Sequence, residues 1–325
     1  MIVTIFKKNL FFNSLLLLPF AMIMRLYSLV FANSLKPVEQ GGVLYDLLLQ
    51  VLPSNHLFQS VLSIFIVFFE AVLINRLVIK NRFSRDITLL PGMFFIILVS
   101  IKPSMQVLSP VMIGLIFVIQ SFINLFKTYK KYNSERYLFN AGFYLGISIL
   151  FYSDYIYLLI PLFFSLLSIR TFKLRELLQM ISGLLLVAYF YAFGLYWYEK
   201  PLALPEINFG FSPISISNIY DYFILGFYSF LILNTVVSLR KFVIKKSIQS
   251  QKKINIIFSI LIFSVVAFFF VQVDDIFNYL YLIAFALSFF TAMIFLRIKN
   301  NLILEIVTLV LVFAILIYHF QLYEI

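Results

Sequence analysis

Arg25 stands inside "LPFAMIMRLYSLVF", residues 18 to 31, an otherwise apolar run. A guanidinium there has two uses. Its stem lets the charged head snorkel to the headgroup level, about six residues or roughly 9 Å away. Alternatively, its planar fork turns inward and takes an anion, either a loop carboxylate such as Glu39 or Asp46 or the phosphate of a lipid-linked substrate. Glu70 lies deeper in a second run, about thirteen residues or roughly 20 Å from the same end, and Gln120 sits at similar depth in another. Their depth predicts a buried Glu70 to Gln120 hydrogen bond that clamps two helices. A proton or ion pathway is the alternative use, although a relay wants several acids at matching depths. The chain has no cysteine, and its two histidines, His56 and His319, are too far apart in sequence to suggest a metal site. No Gly-rich phosphate loop, nucleophile triad or two-metal acid cluster is present, so no metal and no cofactor is expected.

The elements that must carry these residues are membrane helices. Of 325 residues, 63% are hydrophobic, 19% aromatic and only 12% charged, with a mean hydropathy of +1.02. That leaves too little polar surface to cover a water-soluble globule. Measured against the ~20 residues that cross a bilayer core as a helix, apolar runs near 9–31, 57–79, 87–101, 109–126, 138–152, 155–169, 177–198, 218–239, 254–272, 276–296 and 302–322 predict a polytopic all-α bundle of about eleven spans. The runs at 87–101, 138–152 and 155–169 are short, and read as half-spans, re-entrant hairpins or helices in thinned membrane. The whole of 1–325 reads as a single integral-membrane domain.

Charge sets the expected orientation. Of the 25 lysines and arginines, all but Lys36, Lys102, Lys200 and Arg25 fall in alternate connections, the largest group at 240–253. Basic residues stay on the cytoplasmic side of insertion, which puts the N-terminus in and the C-terminus out. The net charge of +11 is then topogenic and lipid-facing, and its spread over separate short loops argues against nucleic acid. The acids gather in the other, outer connections: Glu39, Asp46, Asp154, Glu199, Glu206, Asp274 and Asp275, with Asp221 just inside a span. In the outer loop 32–56, Gly41 and Gly42 break the chain, and apolar residues from Val43 to Val51 follow helical spacing up to Pro53, which predicts a short interfacial helix. The outer loop 199–217, with three prolines, reads as a lid without regular period.

The stretch from "LLPGMFFIILVSIKPSMQVLSPVM" through "GFYLGISILFYSDY" to "RTFKLRELLQMISGLLL" resembles an uncharacterised family of bacterial multi-pass inner-membrane proteins of about 300 residues. That resemblance implies location in the bacterial inner membrane and no established activity. More distantly, the layout resembles GT-C glycosyltransferases, which take sugars from polyprenyl-phosphate donors: a first outer loop with an interfacial helix and an acid, then short helices, then a later lid. The likeness implies that the first-loop acid is Asp46 or Glu39, and that phosphate binders are Arg25, Lys102 or Lys200. "KPSMQVLSP" has no acid where many such enzymes place one, so either Asp154 in "FYSDY" substitutes or the chain is the scaffold without the reaction. Such transfer needs a carboxylate to take the acceptor proton and cations to stabilise the leaving phosphate.

Three functional readings follow. The first is a GT-C-like membrane transferase acting on a polyprenyl-phosphate-linked envelope substrate at the outer face. The alternative is a non-catalytic scaffold or assembly factor of the cell envelope, and the third is a transporter or flippase. The partners implied are the lipid bilayer, a lipid-linked sugar and an envelope protein.

Overall fold

The computed structural model describes residues 2–32, 41–53, 55–83, 87–131, 133–170, 173–199, 219–244, 246–270, 277–298 and 300–321. Every regular element among them is helical. The first apolar run, expected as one helix, is broken into α2 (Phe11–Leu15), α3 (Leu17–Met24) and α4 (Leu26–Val30), preceded by α1 (Ile2–Phe6). Pro19 has no N–H to give back to the preceding turn, which explains a break at Leu16. The second break falls on Arg25 itself, which leaves helical geometry at φ −111°, ψ 21°. The expected interfacial helix is α5 (Val43–Val51), starting after Gly42 and ending before Pro53.

Helix α6 (His56–Lys80) begins at Asn55, whose side chain accepts from the Leu57 N–H at 2.9 Å. Next comes α7 (Leu90–Val99), only 10 residues long, or about 15 Å, half of the ~30 Å hydrocarbon core. A 3-10 turn at Pro103–Gln106 leads to α8 (Pro110–Lys127), where Ser109 caps the Met112 N–H and Pro110 opens the first turn. The expected short segment at 138–152 is longer than its apolar run: α9 (Glu135–Phe151) has 17 residues, because polar residues at its start continue the helix. The segment at 155–169 is a 3-10 turn, Ser153–Leu158, followed by the 11-residue α10 (Leu159–Ile169). The remaining helices are α11 (Leu174–Trp197), α12 (Ile219–Val243), α13 (Ile248–Phe270), α14 (Phe277–Phe295) and α15 (Asn301–Gln321). The basic stretch 240–253 is mostly helix, since α12 runs through Lys241 and α13 starts at Ile248; Lys and Arg are good helix formers with long solvent-reaching stems.

Each of the apolar runs is thus mainly helical over its described residues. Among the described residues, six helices are long and apolar enough to cross a membrane: His56–Lys80, Pro110–Lys127, Leu174–Trp197, Tyr220–Val243, Ile248–Phe269 and Asn301–Phe320. This is the architecture of a multi-pass membrane protein. The most apolar window of α8 is 78% buried and those of α11 and α12 only 17%, so α8 belongs to the core and the other two to the periphery. All ten residues of α7 are buried, enclosed chiefly by α14 and α6, with α3 and α1 completing the surround.

Helices α9 and α11 meet backbone to backbone. A Cβ on Gly142 would collide with the Met180 carbonyl, and one on Gly183 with the Phe139 carbonyl. Without a hydrophobic drive between helices in lipid, such close packing is a principal source of association. At the other side of the bundle, Glu305 on α15 accepts from the Val3 and Thr4 N–H groups, at 3.2 and 2.8 Å, pinning α1 in place.

Candidate functional site

Helix α7 stops inside the bundle, and the irregular backbone that follows is surrounded by protein. Ser63, one of the groups that meet it, stands seven residues, or about 10 Å, inside α6. Backbone at such depth must be satisfied by the protein, because each unmet polar group in hydrocarbon costs several kcal/mol. Side chains from distant helices supply the donors. Tyr228 of α12 donates to the Leu98 carbonyl at 2.9 Å, and Arg25 Nη2 to Val99 and Met105 at 3.4 and 3.2 Å. Arg25 Nη1 reaches the Gln106 carbonyl at 3.0 Å and Ser63 Oγ at 3.2 Å. Gln106 Nε2 folds back to the Ser100 carbonyl at 3.0 Å, His319 Nε2 donates to Ile101 at 2.9 Å, and the Tyr45 hydroxyl of α5 donates to Leu108 at 3.0 Å. The other end of α7 is capped too, by Asn75 Oδ1, which accepts from the Gly92 N–H at 2.8 Å.

Arg25 is therefore turned into the protein, its fork donating to backbone carbonyls and Ser63. It is fully buried and its fork holds the broken chain together. Glu70 is buried in the same layer and accepts from the Tyr281 hydroxyl at 3.0 Å; the guanidinium of Arg25 lies close enough to interact with both. The expected Glu70 to Gln120 bond is not formed. Gln120 is half-buried on α8, and its backbone carbonyl accepts from Asn124. Helix α14 brings the tyrosine nearer than α8 brings the amide, which depth alone could not reveal.

Asp46 and Asp154 are organised around the C-terminal end of α9. The Gly42 N–H donates to the Phe151 carbonyl at 2.9 Å, and fully buried Tyr45 plugs α5 into the bundle. This leaves Asp46 exposed in the first turn of α5, where partial desolvation raises its pKa above the usual carboxylate range. Three residues after Phe151, Asp154 lies almost buried in reach of the Tyr152 and Tyr279 side chains, whose rings are 6.1 Å apart. Lys102 pairs with Asp221 at 3.1 Å, so this expected phosphate binder already has an acid beside it. Glu39, Lys200 and residues 200–217 of the lid lie outside the described residues.

Sequence reasoning did not single out Tyr228, Tyr281, Asn75 or His319 as positioning groups. A lone histidine in an apolar helix was the one available signal. Among the described residues no cluster of histidine and acids could hold a metal ion. Comparison with family models, with curated proteins and with solved structures finds no match for this chain.

Proposed function

We propose that this chain is a GT-C-like transferase of the bacterial inner membrane, passing the bilayer about eleven times with its basic end in the cytoplasm, and acting on a polyprenyl-phosphate-linked envelope substrate at the acid-bearing outer face. The observation that carries this reading is the Gly42 to Phe151 hydrogen bond. It ties the helix of Asp46 to the turn of Asp154, so two of the three carboxylates expected to act as base sit at one end of α9. Asp154 is the stronger candidate for the base. It is shielded by tyrosine side chains, and such rings offer both stacking faces and hydroxyls to a sugar. Asp46, exposed at the interface, suits contact with the incoming acceptor. Arg25 then acts as a positioning residue that fixes the backbone behind the site, and the leaving phosphate falls to Lys102 and to Lys200 in the lid.

The test is genetic and chemical. In a bacterium lacking the chain, polyprenyl-phosphate-linked sugars should accumulate in lipid extracts read by mass spectrometry. The wild-type chain should clear them, whereas Asp154→Asn and Asp46→Asn should not, at equal protein level. An unchanged lipid profile on deletion, or full complementation by both variants, removes the transferase.

A second reading has its own support. The exposed faces of α11 and α12 are broad and aromatic, with Tyr189, Phe190, Phe193 and Trp197 on the first and Tyr222, Phe223 and Phe230 on the second. A non-catalytic envelope scaffold would use such faces to hold a partner's membrane helix. A stoichiometric partner recovered from native membranes, together with tolerance of both Asn variants, would favour it.

A further inference from the structure

The basic residues that are scattered along the chain converge in space. Arg76 and Lys80 from the last turn and a half of α6, Lys127 from the end of α8, Lys131 just beyond it and Lys253 from α13 line a single cavity of about 440 Å³, together with Tyr129, Tyr137, Asn81 and Gln249. Insertion requires only that cations share one side of the membrane. It does not require them to face one another, which is repulsive. Among the described residues none of the five forms an ion pair, and no carboxylate lines the cavity.

Their partners are neutral. Lys253 is buried, and its Nζ donates to Asn81 Oδ1 at 2.6 Å. Lys127 Nζ donates to Asn124 Oδ1 at 3.3 Å, and Lys131 Nζ to the Tyr137 hydroxyl at 3.0 Å. Lys131 also lies 4.3 Å and Lys127 5.6 Å from the centre of the Tyr137 ring. The phenol registers the local field: the hydrogen bond and charge of Lys131, with Lys127 and Arg136 behind them, hold Tyr137 below the usual phenol range. Cations crowded around one cavity without an acid, two of them, Lys127 and Lys253, partly or wholly drawn out of water, call for an anion of high charge density. We propose that this cavity binds a phosphate group. The guanidinium of Arg76 supplies a planar fork, the lysines supply point charges and the tyrosine hydroxyl adds a neutral donor. The volume lies within the range of small-ligand sites, and a pocket of this kind between membrane helices suits either an anionic phospholipid headgroup or a soluble phosphorylated compound.

The full chain, reconstituted in nanodiscs of phosphatidylcholine, is titrated in one arm with phosphatidylglycerol and in the other with inorganic pyrophosphate, and binding is read by thermal shift and native mass spectrometry. Saturable binding is expected in at least one arm, and the arm that responds identifies the source of the phosphate. The double variant Lys80→Gln/Lys131→Gln, and separately Arg76→Gln, should weaken that binding on the order of tenfold. The control Arg240→Gln/Lys241→Gln, which removes two exposed cations outside the cavity, should leave it within about twofold. Without the anion, the cavity variants should melt at or above the wild-type midpoint, since repulsion is relieved. Absence of saturable binding in both arms, or equal weakening by the control pair, overturns the site.

Discussion

Arg25 Nη1 donates to the backbone carbonyl of Gln106 at 3.0 Å, and Ser63 Oγ donates to that same carbonyl at 2.9 Å. A residue from the first apolar run and one from α6 thus close on a single oxygen of a broken segment far along the chain. The break is stable because donors from several helices meet its carbonyls, so each of those helices is also held by the break.

Replacing Arg25 should consequently act on stability before function. Arg25→Met takes the donor from the Val99 and Met105 carbonyls and leaves Gln106 with Ser63 alone, and should lower stability on the order of 3 kcal/mol, seen as a fall in melting temperature in detergent. Arg25→Lys keeps the charge and loses the fork, and should recover only part of that loss. An unchanged midpoint for Arg25→Met would contradict the capping role.

Glu70 and Tyr281 should be coupled, and Glu70 and Gln120 should not. A double-mutant cycle with Glu70→Gln and Tyr281→Phe is expected to give an interaction of about 1 kcal/mol. The cycle with Gln120→Ala should give less than about 0.3 kcal/mol, as for sites without shared partners. Reversed magnitudes would restore the α6 to α8 clamp expected from depth.

Glycine positions should divide sharply. Gly183→Leu forces α9 and α11 apart and should cost about 2 kcal/mol or more, with loss of folded protein in size-exclusion profiles. Gly194 and Gly226 have nothing within 4 Å of an added Cβ. Ala at either should be neutral or stabilise by about 0.5–1 kcal/mol, since Ala is the better helix former.

The Lys102 and Asp221 pair should behave as a unit. Side chains that are only 19% and 5% exposed make each charge costlier to hold once the opposing one is removed. Lys102→Met and Asp221→Asn alone should each lower the melting temperature, and the double variant should fall by less than the sum. Additive losses would show that the pair contributes nothing as a pair.

Composition and apolar run length determined the all-helical membrane class, the approximate place of the helices after the broken first run, the short α7 and the start of α5 at Gly42, because hydropathy and helix-breaking residues act through neighbours a few positions away. The segregation of Lys and Arg to alternate connections was equally legible, being a property of order along the chain. The GFYLG spacing of Gly142 and Gly146 was present too, but only the approach of α11 gives it meaning. What tertiary structure alone decided is which distant groups meet. Arg25 finds Gln106, Tyr228 finds Leu98, His319 finds Ile101, and five cations from three segments share one cavity. Such pairings depend on how helices rotate and pack in three dimensions, and a fixed depth in the membrane leaves that rotation open. A buried guanidinium can face lipid headgroups, a ligand or the protein's own backbone with the same sequence around it, and the broken end of α7 selects the last.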